Sequence, residues 1–298
     1  MNSSHVRSSI LIALLVFCKA LQQPFRKQAS TSSYPSSLSP ALKDRTKIGK
    51  LDVPRLGIGT IAWTPSTDSE DAVIQATSRL ARDNGLNFFD TAERYGAKPL
   101  NLVSQSISAL WRSSSSFSSS SSSAAIGGDC ETNIARWFNT DVDMRSKKPV
   151  SLATKFTPKP DRLTSQSVVD ACRESARRMN VTQIPLYQIH FPDVIQPFAR
   201  FGLENRKDRV YWDGLAECYH LGLAANVGVS NYGSTLVTEA QEYLAKKGVP
   251  LASNQICFSL LNRRAGSLAT VETCQRLGVS VLAYYPLAMG TLNDAFFA

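Results

Sequence analysis

Four side chains far apart in the chain carry the groups of a proton relay: Asp90, Tyr95, Lys155 and His190. A free phenol titrates near about 10, too high for an efficient acid at neutral pH. An ammonium beside it favours phenolate and lowers that value, and a carboxylate paired with the ammonium keeps it charged and in place. Tyr95, Lys155 and Asp90 fit those three roles. His190, as a neutral imidazole, can donate to an oxygen that gains negative charge and fix its orientation. Taken singly, each residue has a plainer reading: a capping aspartate, a loop tyrosine, a solvated lysine, a satisfied core histidine. Their shared placement favours the chemical reading, because each lies at or just beyond the end of a short apolar run.

Those runs are strands. Leu86, Phe88 and Phe89 follow the helix-ending pair Asn84-Gly85 and stop at Asp90, as a strand covered on both faces does. Leu56 to Ala62 precedes it, after a short opening strand at Leu51 to Pro54. Val150 to Lys155, Leu186 to His190, Ala224 to Ser230, Leu251 to Cys257 and Val279 to Tyr285 follow. Between them, helical spacing marks 68–84, 165–179, 208–219, 234–246 and 268–277. Ser230-Asn231, Asn254-Gln255 and Tyr284-Tyr285 fall at the same strand end as the four relay residues.

Strict alternation of strand and helix argues for a parallel sheet, and nothing divides the chain in half. Lys47 to Ala298 is close to the ~250 residues of a (β/α)8 barrel, in which chemistry sits at the carboxyl ends of the strands. Only seven units are evident, and the last β/α unit is missing. A seven-unit version leaves two open apolar edges. The eighth strand is therefore supplied unconventionally, or the chain is truncated, or the product is unstable.

Composition bounds the rest. The chain has 298 residues, 43% of them hydrophobic, and a formal net charge of +9. Arg7, Lys19, Arg26, Lys27 and Lys43 account for five of those charges in a stretch without acids, leaving +4 for the remainder. No basic stripe with interleaved aromatics remains there, which argues against a nucleic-acid partner. Residues 1–46 read as a disordered targeting leader. Ile10 to Phe17 suits a signal-peptide apolar core, too short to span a bilayer, with cleavage near Cys18-Lys19-Ala20. Gln22 to Lys43 has the serine-rich, basic, acid-free composition of a transit peptide. The pair resembles the two-part leader of algae whose plastid lies inside an extra membrane; simple secretion is the competing reading. Beyond Cys18, the five cysteines lack any C-x-x-C and suit buried thiols rather than disulfides or a metal site.

Asp90-Thr91-Ala92-x-x-Tyr95-Gly96, Thr154-Lys155, His190-x-Pro192-Asp193, Gly228-Val229-Ser230-Asn231, Asn254-Gln255 and Ala283-Tyr284-Tyr285-Pro286-Leu287 together resemble the successive motifs of the aldo-keto reductase family. The resemblance runs from about Leu51 to Met289. It implies a barrel that binds NADPH across its mouth and reduces a small aldehyde or ketone, with Tyr95 as proton donor and Asp90, Lys155 and His190 as its partners. It also implies cofactor contacts from Gly59, Thr60, Ser230, Asn231, Gln255, Tyr284, Tyr285 and Leu287, with Ser230, Asn231 and Gln255 on the carboxamide and Tyr284 stacked on nicotinamide. Trp63, Trp137 and Phe191 are candidate pocket walls.

This sequence departs from the family pattern in places. About thirty residues near 98–129, including a low-complexity serine run, are inserted beside the tyrosine. Tyr285 stands where many relatives carry a small residue. The basic segment for the adenosine 2′-phosphate normally follows the eighth strand, so NADPH over NADH is inherited from the family. Gly57-x-Gly59-x-x-Ala62 matches a dinucleotide pattern, but Pro65 follows and no helix opens there. Pro99 excludes a Tyr-x-x-x-Lys arrangement for Tyr95. The rival readings are an NADPH-binding redox sensor with little turnover and an inactive truncated product.

Overall fold

The computed structural model describes the backbone of residues 12–17 and the residues 44–96, 128–139, 150–159, 161–193 and 207–292. Its centre is a closed barrel of eight parallel strands. In chain order the strands are β1 (Ile12–Phe17), β4 (Leu56–Gly59), β5 (Phe88–Asp90), β6 (Ser151–Phe156), β7 (Leu186–Ile189), β8 (Val227–Ser230), β9 (Leu251–Cys257) and β10 (Ser280–Tyr284). Around the cylinder they run β1-β10-β9-β8-β7-β6-β5-β4. The hairpin β2 (Arg45–Ile48) and β3 (Leu51–Pro54) stands apart as an antiparallel pair.

The barrel closes in an unexpected way. After β10 the described chain makes a 3-10 turn at Ala288–Gly290, and β1 fills the place between β10 and β4. Ile12 pairs with Val281 and Leu15 with Tyr284 on one side; Leu14 pairs with Leu56 and Phe17 with Gly59 on the other. The expectation of a disordered leader over 1–46 therefore fails for these six residues and for Arg45 and Thr46, which lie in β2, while 1–11 and 18–43 lie outside the described residues. Ile-Ala-Leu-Leu-Val-Phe has the composition of a buried parallel strand as much as that of a signal core. Unpaired edges at β4 and β10 would leave backbone donors and acceptors without partners, which favours the pairing.

The helices α1 (Asp68–Asp83), α2 (Asp129–Asn139), α3 (Ser165–Met179), α4 (Asp208–His220), α5 (Ser234–Ala245) and α6 (Ala265–Leu277) surround the strands. Their ends follow local chemistry. Thr67 caps α1 by accepting from the Glu70 amide, and Glu70 reaches back to the Ser66 amide at 2.8 Å. Thr164 caps α3 in the same way, and its other end stops at Asn180 in the left-handed region, φ 52°.

The hairpin plugs the floor. Ile48 and Val53 are fully buried and join Phe88, Ala153, Leu186, Ala252 and Leu282 in one cluster. Its turn needs Gly49: φ is +57°, and a Cβ there would lie 2.3 Å from Asn226 Oδ1. With the floor packed, the carboxyl ends of the strands remain as the place for a site. The serine-rich insertion lies outside the described residues, apart from its last two positions, which lead into α2.

Candidate active site

Asp90 ends β5 and Lys155 lies within β6, and both side chains are fully buried. Lys155 Nζ donates to Asp90 Oδ2 at 2.6 Å, to the Thr91 carbonyl at 2.7 Å and to Tyr95 Oη at 3.4 Å. All three ammonium hydrogens thus have acceptors. Tyr95 reaches this point because Asp90 to Gly96 turns sharply over the strand end, with the Tyr95 amide bonded to the Ala92 carbonyl at 3.0 Å. His190 follows β7; its ring stands edge-on to the phenol, 5.9 Å between centroids. The four expected relay residues are therefore together.

Their electrostatics depart from expectation at one point. The Tyr95 phenol is pushed well above its ordinary value, by burial first and then by the Asp90 charge. The Lys155 ammonium is already neutralised by Asp90 at 2.6 Å, against 3.4 Å to the phenol, so burial dominates. Burial pushes Asp90 up and Lys155 down, each opposed by the other's charge. His190 is held well below the usual histidine range by burial and then by the charges of Lys155 and Arg94. It is a neutral imidazole, as expected, and its Nδ1 is buried without a hydrogen-bond partner.

The expected cofactor residues divide. Asn231 adopts φ 64°, which turns its amide back over the rim. Its Nδ2 donates to the His190 carbonyl at 2.9 Å and to Ser230 Oγ at 3.1 Å, and its Oδ1 accepts from Tyr284 Oη at 2.8 Å. Ser230 Oγ donates to the Gln255 carbonyl at 2.9 Å. Gln255 differs from expectation. Its side-chain Nε2 donates to Asp90 Oδ1 at 2.9 Å, and the residue is 3% exposed. Gly59 is buried in the sheet beside Asp90, and Thr60 is a brace whose amide and hydroxyl both donate to the Asp90 carbonyl at 3.0 Å.

Tyr284 and Tyr285 pack edge to face at 5.2 Å, with Tyr285 in the left-handed region at φ 54°. Leu287 is exposed beyond them. Of the three candidate pocket walls only Phe191 is open, and it stacks on His190 at 4.4 Å and 8°. Trp63 and Trp137 are shut into the core, 2% and 0% exposed, and pack against each other at 5.5 Å.

Three features at the site were not anticipated. Cys130 packs on Ala92 and Tyr95 and donates to the Thr60 carbonyl, its thiol pushed up to about 12 by burial. Glu131, fully buried, ties Thr154 to Arg178 and so braces β6 from outside. Arg94, exposed and next to Tyr95 in the chain, helps to hold His190 below the usual histidine range. Only Arg94, adjacent to a motif tyrosine, was open to suspicion from sequence.

The donor set suits a nicotinamide. A half-buried aromatic, Tyr284 on β10, is bonded across β9 to the Asn231 amide that follows β8, beside the Ser230 hydroxyl, and the Asn231 and Ser230 oxygens keep acceptor capacity.

Comparison with known proteins agrees. Residues 55–296 match the family model described as the Aldo/keto reductase family. The chain is 32% identical over 258 residues to "Pyridoxal reductase, chloroplastic" of Arabidopsis thaliana, covering 85% of this chain and 62% of that protein. It is 31% identical over 130 residues to "Aldo-keto reductase AKR2E4" of Bombyx mori, covering 42% and 38%. The crystal structure of the Bombyx mori protein in complex with NADP superposes with a TM-score of 0.56 at 22% identity, covering 81% of this chain and 66% of that one. A thermostable aldo-keto reductase, Tm1743, gives 0.59 at 22%, covering 84% and 76%. The chain thus spans less than two thirds of the length of those two curated relatives.

Proposed function

The chain belongs to the aldo/keto reductase family, and we propose that it is an NADPH-dependent reductase of small aldehydes or ketones with Tyr95 as proton donor. One observation carries this reading: Lys155 bridges Asp90 and Tyr95 inside a buried strand end, with the neutral His190 ring 5.9 Å from the phenol. Tyr284, Asn231 and Ser230 would hold the nicotinamide end of the cofactor. When bound, NADPH supplies the hydride.

The chain's own residues handle the proton. His190 orients the substrate oxygen without adding charge, since its imidazole stays neutral. Tyr95 keeps its proton until an acceptor stronger than water arrives, because burial disfavours phenolate. An alkoxide is a far stronger base than phenolate, so transfer from Tyr95 Oη remains downhill despite the raised phenol. Lys155 then faces the phenolate formed, and Asp90 keeps the ammonium in register.

Aldehyde-dependent oxidation of NADPH by the purified chain is the test, with pyridoxal, the aldehyde in the relative's name, as the first substrate. Tyr95→Phe should lose about a hundredfold or more in turnover while binding NADPH as before. Unchanged turnover in that variant removes the assignment. A sensor with little turnover is favoured by the same raised phenol, and cofactor binding without aldehyde-dependent oxidation in the parent chain would select it.

The serine-rich, basic, acid-free composition of 22–43 and the chloroplastic relative support a plastid location. A fluorescent fusion of residues 1–46 found outside plastids would refute it.

A further inference from the structure

We propose that the carbonyl substrate carries an anionic group, a carboxylate or phosphate, gripped by Arg94 and Lys159 on the β5–β6 side of the barrel mouth. This deepens the reductase reading and rests on it.

The loops after β5 and β6 are laced together by one carboxylate. Glu93, 5% exposed, accepts from the Thr157 amide and from both terminal nitrogens of Arg162, and the Glu93 amide bonds to the Lys155 carbonyl. That lacing uses the charge of Arg162. It leaves Arg94, the residue between Glu93 and Tyr95, and Lys159, four residues beyond Lys155, without an ion-pair partner among the described residues. Elsewhere the buried or half-buried cations Lys155, Arg162 and Arg178 each pair with a carboxylate.

The Glu93 bonds to Thr157 and Arg162 draw the stretch that carries Arg94 to the loop that carries Lys159, and Arg94 adjoins Tyr95 in the chain. Arg94 opposes imidazolium formation at His190, and Arg94 and Arg162 both help hold the Lys159 ammonium below its ordinary range, where burial is the larger cause. Glu93 and Asp161 offset this in part. A half-buried lysine among like charges is costly unless an anion joins it. The exposed Arg94 guanidinium can meet a carboxylate or phosphate in a forked pair.

Strand order separates the two cations from the residues that would hold the nicotinamide. Ser230, Asn231 and Tyr284 lie on β8 to β10, with β7 between them and the β5–β6 loops. Phe191, stacked on His190, supplies the apolar face between the two sides.

The test compares 4-carboxybenzaldehyde with its methyl ester in the full chain. The ratio of kcat/KM, acid over ester, should be about tenfold or more, the size of a hydrogen-bonded charge. It should fall toward unity in Arg94→Gln and drop in Lys159→Gln, while Lys246→Gln, a remote exposed lysine, keeps it. No preference in the parent chain, or a preference that survives both substitutions, overturns the proposal. So does a loss that appears in KM for NADPH instead, which would assign the cations to cofactor phosphate. If neither aldehyde is reduced, the reductase reading falls. Equilibrium binding of the two compounds, followed by protein fluorescence, then decides separately: equal affinities sink the anion site, and tighter binding of the acid that Arg94→Gln removes supports it.

Discussion

Gln255 Nε2 holds one oxygen of Asp90 at 2.9 Å while Lys155 Nζ holds the other at 2.6 Å. The carboxylate is thereby fixed about its own bond axis, and the ammonium is held under the phenol. The backbone carbonyl of Gln255 also accepts from Ser230 Oγ and the Asn231 amide, so one residue joins the acid end of the site to the amide end. Gln255→Leu removes the side-chain bond and should lower kcat about tenfold or more, since an unsatisfied buried charged acceptor results. NADPH affinity should stay within about threefold. A large loss of affinity with kcat preserved would instead return the side chain to the carboxamide.

His190 makes stability depend on pH. Its folded value lies below that of an unfolded histidine, so below about pH 6.5 the unfolded chain takes up a proton that the native imidazole refuses. The contribution is present above that pH and is lost as pH falls toward the folded value. The slope from one such site is at most about 1.4 kcal/mol per pH unit. Urea unfolding between pH 7 and 5 should show a shallower fall for His190→Asn than for the parent. Parallel curves would contradict this.

Gly214 on α4 lets two helices touch. A Cβ there would lie 2.5 Å from Val168 Cβ and 2.7 Å from the Ser165 carbonyl on α3, and neither atom is the far end of a flexible side chain. Alanine gains about 1 kcal/mol in helix propensity, against about 1–3 kcal/mol or more from overpacking. Gly214→Ala should therefore lower Tm, and a rise measured by calorimetry would mean that the helices can separate freely.

Removing residues 1–20 deletes β1. Amide hydrogen exchange should then accelerate along Leu56–Gly59 and Ser280–Tyr284, the two strands that pair with it. Unaltered exchange in both would show that the barrel does not use this strand.

Sequence and structure agree where one pattern has one solution. Seven alternating units and apolar runs ending at Asp90 and His190 are local signals that the core does not override. The Tyr95 phenol was misread because its acidity depends on which partner Lys155 sits nearer to, a matter of less than 1 Å that no spacing encodes. Gln255 was misplaced for a related reason: a strand-end amide can face the cofactor or the barrel axis, and the Asp90 oxygen decides. Trp63 and Trp137 went astray because an aromatic near a motif reads equally as wall or core. Glu131, paired with Arg178 across forty-seven residues, left no trace in sequence at all.

The six residues of β1 have two masters. Read as an export tag, they must be threaded away in extended form and clipped; read as a stave, they must stay, because among the described residues the cylinder has no other piece between β10 and β4. A chain that keeps them can fold where it is made, and a chain that surrenders them travels as an open shell with two raw flanks. The two uses would compete for the same six residues.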